Sequence, residues 1–226
     1  MSRAPGRTSR KRESILSSKY IEGAVRSGQE ALRAAGVNPD PPLLEAMAAY
    51  IELLLRWNRK INLTTITEPA EIVSRNFVES FFAVRWLGAE TGRLCDVGSG
   101  AGFPGLALKL VRPQWQATLL EPIRKKAAFL AEVGRVLKLK DLQIECVRWQ
   151  ESKLQPGSLD AVTARALGDY EEFVHWSRAK LRQGGKILLW AGEREAEALR
   201  GIPGWSWELA LLPGSRARVL LVGSQL

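Results

Sequence analysis

Residues 94–105 read LCDVGSGAGFPG, an apolar run ending in an aspartate and followed by glycines at 98, 100, 102 and 105. Glycines gathered this way let a backbone lie against a ligand, because they accept φ > 0 and carry no Cβ. A glycine loop between a strand and a helix is also where dinucleotide folds hold a pyrophosphate. Asp96 argues for another ligand. Its charge, two residues ahead of Gly98, opposes a pyrophosphate and suits a cationic group. S-adenosylmethionine, an adenosine that bears an ammonium and a sulfonium, satisfies both requirements. The Gly98-x-Gly100-x-Gly102 spacing resembles the first motif of methyltransferases with a Rossmann-like fold.

Other candidate residues stand where apolar runs end, which is where open α/β sheets bind ligands. ATLLEP ends in Glu121, whose carboxylate can accept both hydroxyls of a ribose. LQIECV leads into Trp149 and Gln150, candidates for holding an adenine through a backbone amide and a side-chain acceptor. LDAVTARAL carries Arg165, the first charge after an apolar run, placed to hold a substrate phosphate or base or to fasten a loop through carbonyls. No Asn/Asp-Pro-Pro-aromatic motif follows that run, and neither Cys95 nor Cys146 is placed as a nucleophile after a proline. A target atom with a free lone pair, such as N7 of guanine, needs no general base. No catalytic side chain is therefore expected, only alignment.

The elements that position these residues follow from periodicity. Strands are expected at Arg93–Val97, Ala117–Leu120, Gln143–Val147, Leu159–Ala164 and Lys186–Ala191, with helices at Pro104–Val111, Ile123–Leu137 and Tyr170–Leu181. Alternation of this kind gives an α/β fold with a mostly parallel sheet. Trp205–Leu212 and Arg218–Val222, separated by Pro-Gly-Ser, predict an antiparallel terminal hairpin and so a seven-stranded Rossmann-like methyltransferase sheet. Upstream, Asn38-Pro-Asp-Pro-Pro42 opens an amphipathic helix, and helical spacing recurs over Glu13–Ala35 and Glu68–Leu87. The division expected is a basic disordered tail over 1–12, a helical segment over 13–90 packed on the catalytic domain, and a methyltransferase domain over 91–226.

The chain has 226 residues, 46% of them apolar, and a net charge of +9. That surplus suits a nucleic-acid partner. Cys95 and Cys146 lie in apolar runs and read as buried thiols of a reducing compartment. A single histidine, His175, leaves no Cys/His zinc pattern. No metal and no membrane contact are expected, and the localisation expected is cytoplasmic. A methyltransferase for a small molecule or another RNA site, or a non-enzymatic RNA-binding protein, remains the alternative. The charge speaks against the small molecule, and the intact glycine loop with Asp96 and Glu121 speaks against loss of the enzyme.

Three segments in order, WNRKINLT (57–64), DVGSGAGFPG (96–105) and EPIRKKAAFL (121–130), with TARAL (163–167) as a weaker fourth, resemble the bacterial 16S rRNA guanine-N7 methyltransferases, the glucose-inhibited division protein B family. The resemblance runs from about Leu43 to the last strand. It implies S-adenosylmethionine as cofactor and methylation of N7 of one guanine in the 530 loop of 16S rRNA, guanine 527 in conventional rRNA numbering. It implies a cofactor pocket of Gly98, Phe103, the Trp149–Gln150 turn and Arg165, with Lys60, Arg124, Lys125 and Lys126 facing RNA. It also implies the small ribosomal subunit or its RNA as partner, and a monomeric enzyme. Three positions depart from the family pattern: Asn76 replaces a histidine, Gln150 an acid, and Ala191 the lysine of a Lys-Gly pair.

Overall fold

The structure is a computed structural model that describes residues 7–88, 90–165 and 170–226, with side chains from residue 17 onward. Its first helices are α1 (Arg7–Ser27), α2 (Gln29–Ala34) and α3 (Pro41–Asn58). The expected boundary at residue 12 falls inside α1, which already runs from Arg7; residues 1–6 of the basic tail lie outside the described residues. Asp40 caps α3 by accepting from the Leu43 amide at 2.9 Å, and Pro41 and Pro42 occupy the first positions, where no amide hydrogen is needed. Met47, Tyr50, Ile51 and Leu54 form the helix's buried stripe.

The regular helix predicted over Glu68–Leu87 is interrupted. Short helices α4 (Pro69–Glu71) and α5 (Glu79–Phe81) flank a π-helical stretch, Ile72–Val78, and a 3-10 turn, Phe82–Trp86, follows. Two backbone carbonyls of this segment are taken by side chains from the sheet. Arg165 donates to Arg75 O at 3.0 Å, and the Trp190 indole donates to Glu79 O at 2.9 Å. Side chains that enter a helix's own ladder displace it from α geometry.

From β1 (Arg93–Val97) strands and helices alternate: α6 (Gly105–Val111), β2 (Gln116–Leu120), α7 (Arg124–Val136), β3 (Leu142–Glu145), β4 (Leu159–Arg165), α8 (Tyr170–Lys180), β5 (Leu181–Gly192), α9 (Glu193–Arg200), β6 (Trp205–Leu211) and β7 (Arg218–Gln225). The seven strands lie in the order β3-β2-β1-β4-β5-β7-β6, parallel except for β7, which pairs antiparallel with both β5 and β6. This is the Rossmann-like sheet with an antiparallel hairpin that the sequence predicts. Helix α9 was not read from sequence, since only Ala196 and Leu199 of its eight residues are buried.

Alternation along the strands separates two cores. Leu94 of β1 packs toward α3, α6 and α7, whereas Cys95 and Val97 pack toward α8 and α9. The first core takes in apolar side chains from α1, α2, α3, the π-helical stretch and α5, so the helical segment and the sheet share one interior. Cys95 is buried as predicted, but Cys146 is exposed, because it lies just past the end of β3 instead of within it.

Candidate functional site

The glycine loop begins where β1 ends and is lashed to the neighbouring strand. The Gly98 and Ser99 amides donate to Leu120 O at 2.8 and 3.2 Å, and the Gly100 amide donates to the Glu121 carboxylate at 2.8 Å. Gly98, Gly100 and Gly102 all have positive φ (68°, 54° and 87°), so each turn of the loop uses backbone that L side chains rarely adopt. Gly98 is exposed and a Cβ on Gly100 would touch only the Gly98 carbonyl oxygen, at 3.7 Å, which leaves a bare backbone surface at the carboxyl end of β1. Gly105 serves a different purpose. A Cβ there would strike Asp96 and Leu119, so this glycine lets α6 pack closely on β1 and β2.

Glu121 is almost fully buried, and its second oxygen accepts from the Ile123 amide at 2.9 Å. Each carboxylate oxygen thus receives one backbone N–H and keeps acceptor capacity for a further donor. Asp96, expected to suit a cationic ligand, is buried completely on the face of β1 that looks toward the N-terminal helices. One oxygen accepts from Thr163 of the adjacent β4 at 2.7 Å, and the other has no hydrogen-bond partner. Burial raises the Asp96 pKa to about 6, against the pull of the Thr163 hydroxyl. Asp96 lies beneath the loop, tied to β4 through Thr163.

Tyr50 supports the loop from the other side. Its hydroxyl donates to Ala101 O at 2.6 Å, and its ring stacks on Phe103, with centroids 5.1 Å apart and planes 10° apart. Phe77 meets the same two rings edge-on. The Phe103 ring, expected in the cofactor pocket, therefore lies in an aromatic cluster with the N-terminal helices. Trp149, in the 3-10 turn Trp149–Glu151, likewise packs its ring against Phe173 and Trp176 of α8, while Gln150 beside it is exposed.

Arg165 ends β4 and reaches the N-terminal segment, donating to the Glu79 carboxylate at 2.9 Å as well as to Arg75 O. Arg218, at the start of β7, grips the other Glu79 oxygen with Nε at 3.1 Å and Nη2 at 2.6 Å. Burial lowers the Arg165 pKa, and the Glu79 carboxylate opposes that shift. Neither Glu79 nor Arg218 was singled out from sequence. Arg124 and Lys125, both exposed, and half-buried Lys126 open α7 directly after Glu121, and exposed Lys60 follows the end of α3. The motif around Lys60 is mostly architectural. Asn58 accepts from the Leu63 and Thr64 amides and donates to Thr64 O, closing the loop, and Trp57 packs edge-on against Phe129 of α7. Asn76 is buried within the π-helical stretch, and Ala191 is buried near the end of β5. Among the described residues no cluster of His, Cys, Asp and Glu suits a metal ion, and no helix is long and apolar enough to cross a membrane.

A seven-stranded sheet of this order, with a glycine loop after β1 and a carboxylate after β2, defines a Rossmann-like S-adenosylmethionine-dependent methyltransferase. Solved structures with this fold include an S-adenosylmethionine-dependent methyltransferase from Aquifex aeolicus, with a TM-score of 0.58 at 12% identity over 69% of this chain and 93% of that one. A precorrin-6y C5,15-methyltransferase from Geobacter metallireducens gives 0.54 at 14% identity over 73% and 91%. The chain belongs to the GidB family, rRNA small subunit methyltransferase G, whose model matches residues 43–203. It is 39% identical over 165 residues to the ribosomal RNA small subunit methyltransferase G of Roseiflexus castenholzii, covering 70% of each chain. It is 36% identical over 185 residues to that of Halorhodospira halophila, covering 82% of this chain and 83% of the relative. S-adenosylmethionine is the cofactor of this class, and the bare positive-φ backbone and the paired acceptors of Glu121 fit it.

Proposed function

We propose that this chain transfers a methyl group from S-adenosylmethionine to N7 of one guanine in the 530 loop of 16S rRNA, guanine 527 in conventional numbering. The observation that carries the reading is the juxtaposition at one sheet edge of a bare glycine loop, a backbone-anchored Glu121 and the basic start of α7. The backbones of Gly98, Gly100, Gly102 and Phe103 receive the cofactor's amino-acid end. Glu121 accepts the ribose hydroxyls with its remaining lone pairs, and the Trp149–Gln150 turn meets the adenine. Arg165, the last residue of β4, borders the substrate side, and Asp96 keeps negative charge beneath the loop. Lys60, Arg124, Lys125 and Lys126 face the RNA.

When bound, the cofactor supplies a methyl group activated by its sulfonium. The chain's contribution is to align the guanine with that group and exclude water, which is where proximity gives its advantage. N7 keeps an in-plane lone pair, so no side chain has to remove a proton. Asp96, whose pKa is raised, is sealed from the substrate and already bonded to Thr163. In this reading residues 91–226 carry the transfer, 13–90 brace it, and the enzyme works as a cytoplasmic monomer on the small ribosomal subunit or its RNA.

Incubation with labelled S-adenosylmethionine and unmodified 16S rRNA, free and in assembled subunits, tests the proposal. Strand scission at 7-methylguanine should give a single break at the 530 loop. Label at another atom or another site refutes it.

A further inference from the structure

The arginines around Glu79 exceed what a structural tie needs. Arg165 and Arg218 each take one oxygen of that buried carboxylate, and Arg75, four residues earlier on the same helical segment, pairs with Glu71 at 2.7 Å. Two guanidinium groups thus share Glu79 while a third, on the residue whose carbonyl Arg165 also holds, pairs with Glu71, so three cations stand against two carboxylates, an excess of one positive charge. Glu79 needs only one partner to be neutralised, and Arg165 supplies it from within the fold. Arg218 spends Nε and Nη2 on Glu79 and keeps Nη1 outside that grip, with 38% of its side chain exposed. Arg75 Nε is buried with no hydrogen-bond partner, a donor without an acceptor.

The cluster is held rigidly. Glu79 is clamped through its own carbonyl by Trp190 of β5. Ser215 accepts from the Ala217 and Arg218 amides, fixing the turn that delivers Arg218. Register places the group along one line, with Arg165 beside Trp190 and Gly192 beside Arg218. That line is the edge formed by the ends of β4 and β5 and the start of β7. The glycine loop and Glu121 occupy the ends of β1 and β2 on the same edge, so the two groups divide it between them.

We propose that Arg218, oriented by Glu79, and Arg75, held by Glu71, bind a backbone phosphate of the RNA strand that carries the target guanine. The inference rests on the RNA-methyltransferase reading and deepens it. A phosphodiester carries one negative charge, equal to the excess in the cluster. Its two free oxygens match guanidinium donors held in fixed orientation, which is the geometry in which arginine outperforms lysine. Lys60 and the start of α7 meet the RNA at the cofactor half of the edge; the arginines meet it at the other half, so the strand spans the site.

The test uses the full chain and unmodified 16S rRNA transcribed in vitro, with binding measured over a series of potassium chloride concentrations. Arg218→Gln and Arg75→Gln should each weaken binding several-fold and reduce the slope of log affinity against log salt by about 0.7–0.9. Arg218→Lys should restore the slope without restoring full affinity. S-adenosylmethionine affinity, measured without RNA, should stay within about twofold, since the arginines lie apart from the glycine loop. Slopes that stay at the wild-type value while only the melting temperature falls would overturn the proposal. Should a variant fail to fold, ethylation interference on the wild-type protein decides the matter instead. A modified phosphate beside the target guanosine should block binding, and the absence of any such position refutes the site. Wild-type enzyme that leaves this RNA unlabelled would instead refute the underlying function.

Discussion

Asp96 allows a quantitative test of how the loop is supported. Burial raises its carboxyl from 3.8 to about 6, and each unit corresponds to about 1.4 kcal/mol between the charged and neutral forms. The folded chain therefore binds this proton more tightly than the unfolded chain does. The resulting stability is complete below the unfolded pKa and is lost as pH rises through the folded one, about 3 kcal/mol in all. Asn at this position has nearly the same shape, can accept from Thr163 through its oxygen, and does not titrate. Urea melts of wild type and Asp96→Asn in steps from about pH 4 to about pH 8 should show their difference moving in the variant's favour by about 3 kcal/mol. Most of that movement should fall between the two pKa values. A difference that stays flat with pH would show that desolvation does not govern this carboxyl. Cofactor binding near neutral pH should weaken in the same variant even as its stability rises, because the loop loses the negative charge beneath it.

Other outcomes follow from the same geometry. Gly100→Arg should leave the fold intact, since a Cβ on Gly100 would meet only the Gly98 carbonyl oxygen, at an ordinary 3.7 Å, and the strain is in its φ of 54°, at about 1–2 kcal/mol. Titration calorimetry should find no S-adenosylmethionine binding, and retained affinity would show that the loop is not the cofactor's seat. Tyr50→Phe keeps the stack on Phe103 but strands the Ala101 carbonyl, so stability should fall by about 1–3 kcal/mol and the KM for the cofactor should rise; an unchanged thermal melt contradicts this. Replacing Arg124, Lys125 and Lys126 together by Gln should lower the salt slope of RNA binding by about 2, and an unaltered slope would move the RNA interface elsewhere.

Local signals made much of this molecule legible. Glycines at fixed spacing, apolar runs ended by charges and a Pro-Gly-Ser turn located β1 residue for residue and placed the terminal hairpin. β5 proved longer than read, because Leu181 pairs with Leu159 across an irregular stretch that looks like a turn in sequence. The supporting residues were not legible. Tyr50 bonds a partner 51 residues away, and Glu79 meets Arg165 and Arg218 across 86 and 139 residues. In sequence the first is one more apolar position on a helix and the second an unremarked acid in a helical run. Direction was hidden too. The family resemblance placed Phe103 in the pocket and the end of an apolar run placed Trp149 there, but only packing decides that their rings turn into aromatic clusters. Asp96 shows the same gap, since alternation along β1 sends its side chain beneath the loop.

The Tyr50 hydroxyl occupies space that a Cβ on residue 102 would need, while its oxygen grips residue 101. Two segments 52 positions apart therefore cannot drift independently over evolutionary time. A lineage that gains bulk at 102 must first lose the hydroxyl at 50, and one that loses the ring at 50 leaves Phe103 without its stacking partner. Gly102→Ala should accordingly cost less in a Tyr50→Phe background than alone, a coupling readable by a double-mutant cycle. The loop and the helix act as one structural unit, so transplanting LCDVGSGAGFPG into another methyltransferase would carry the glycines without the contact that sets their shape.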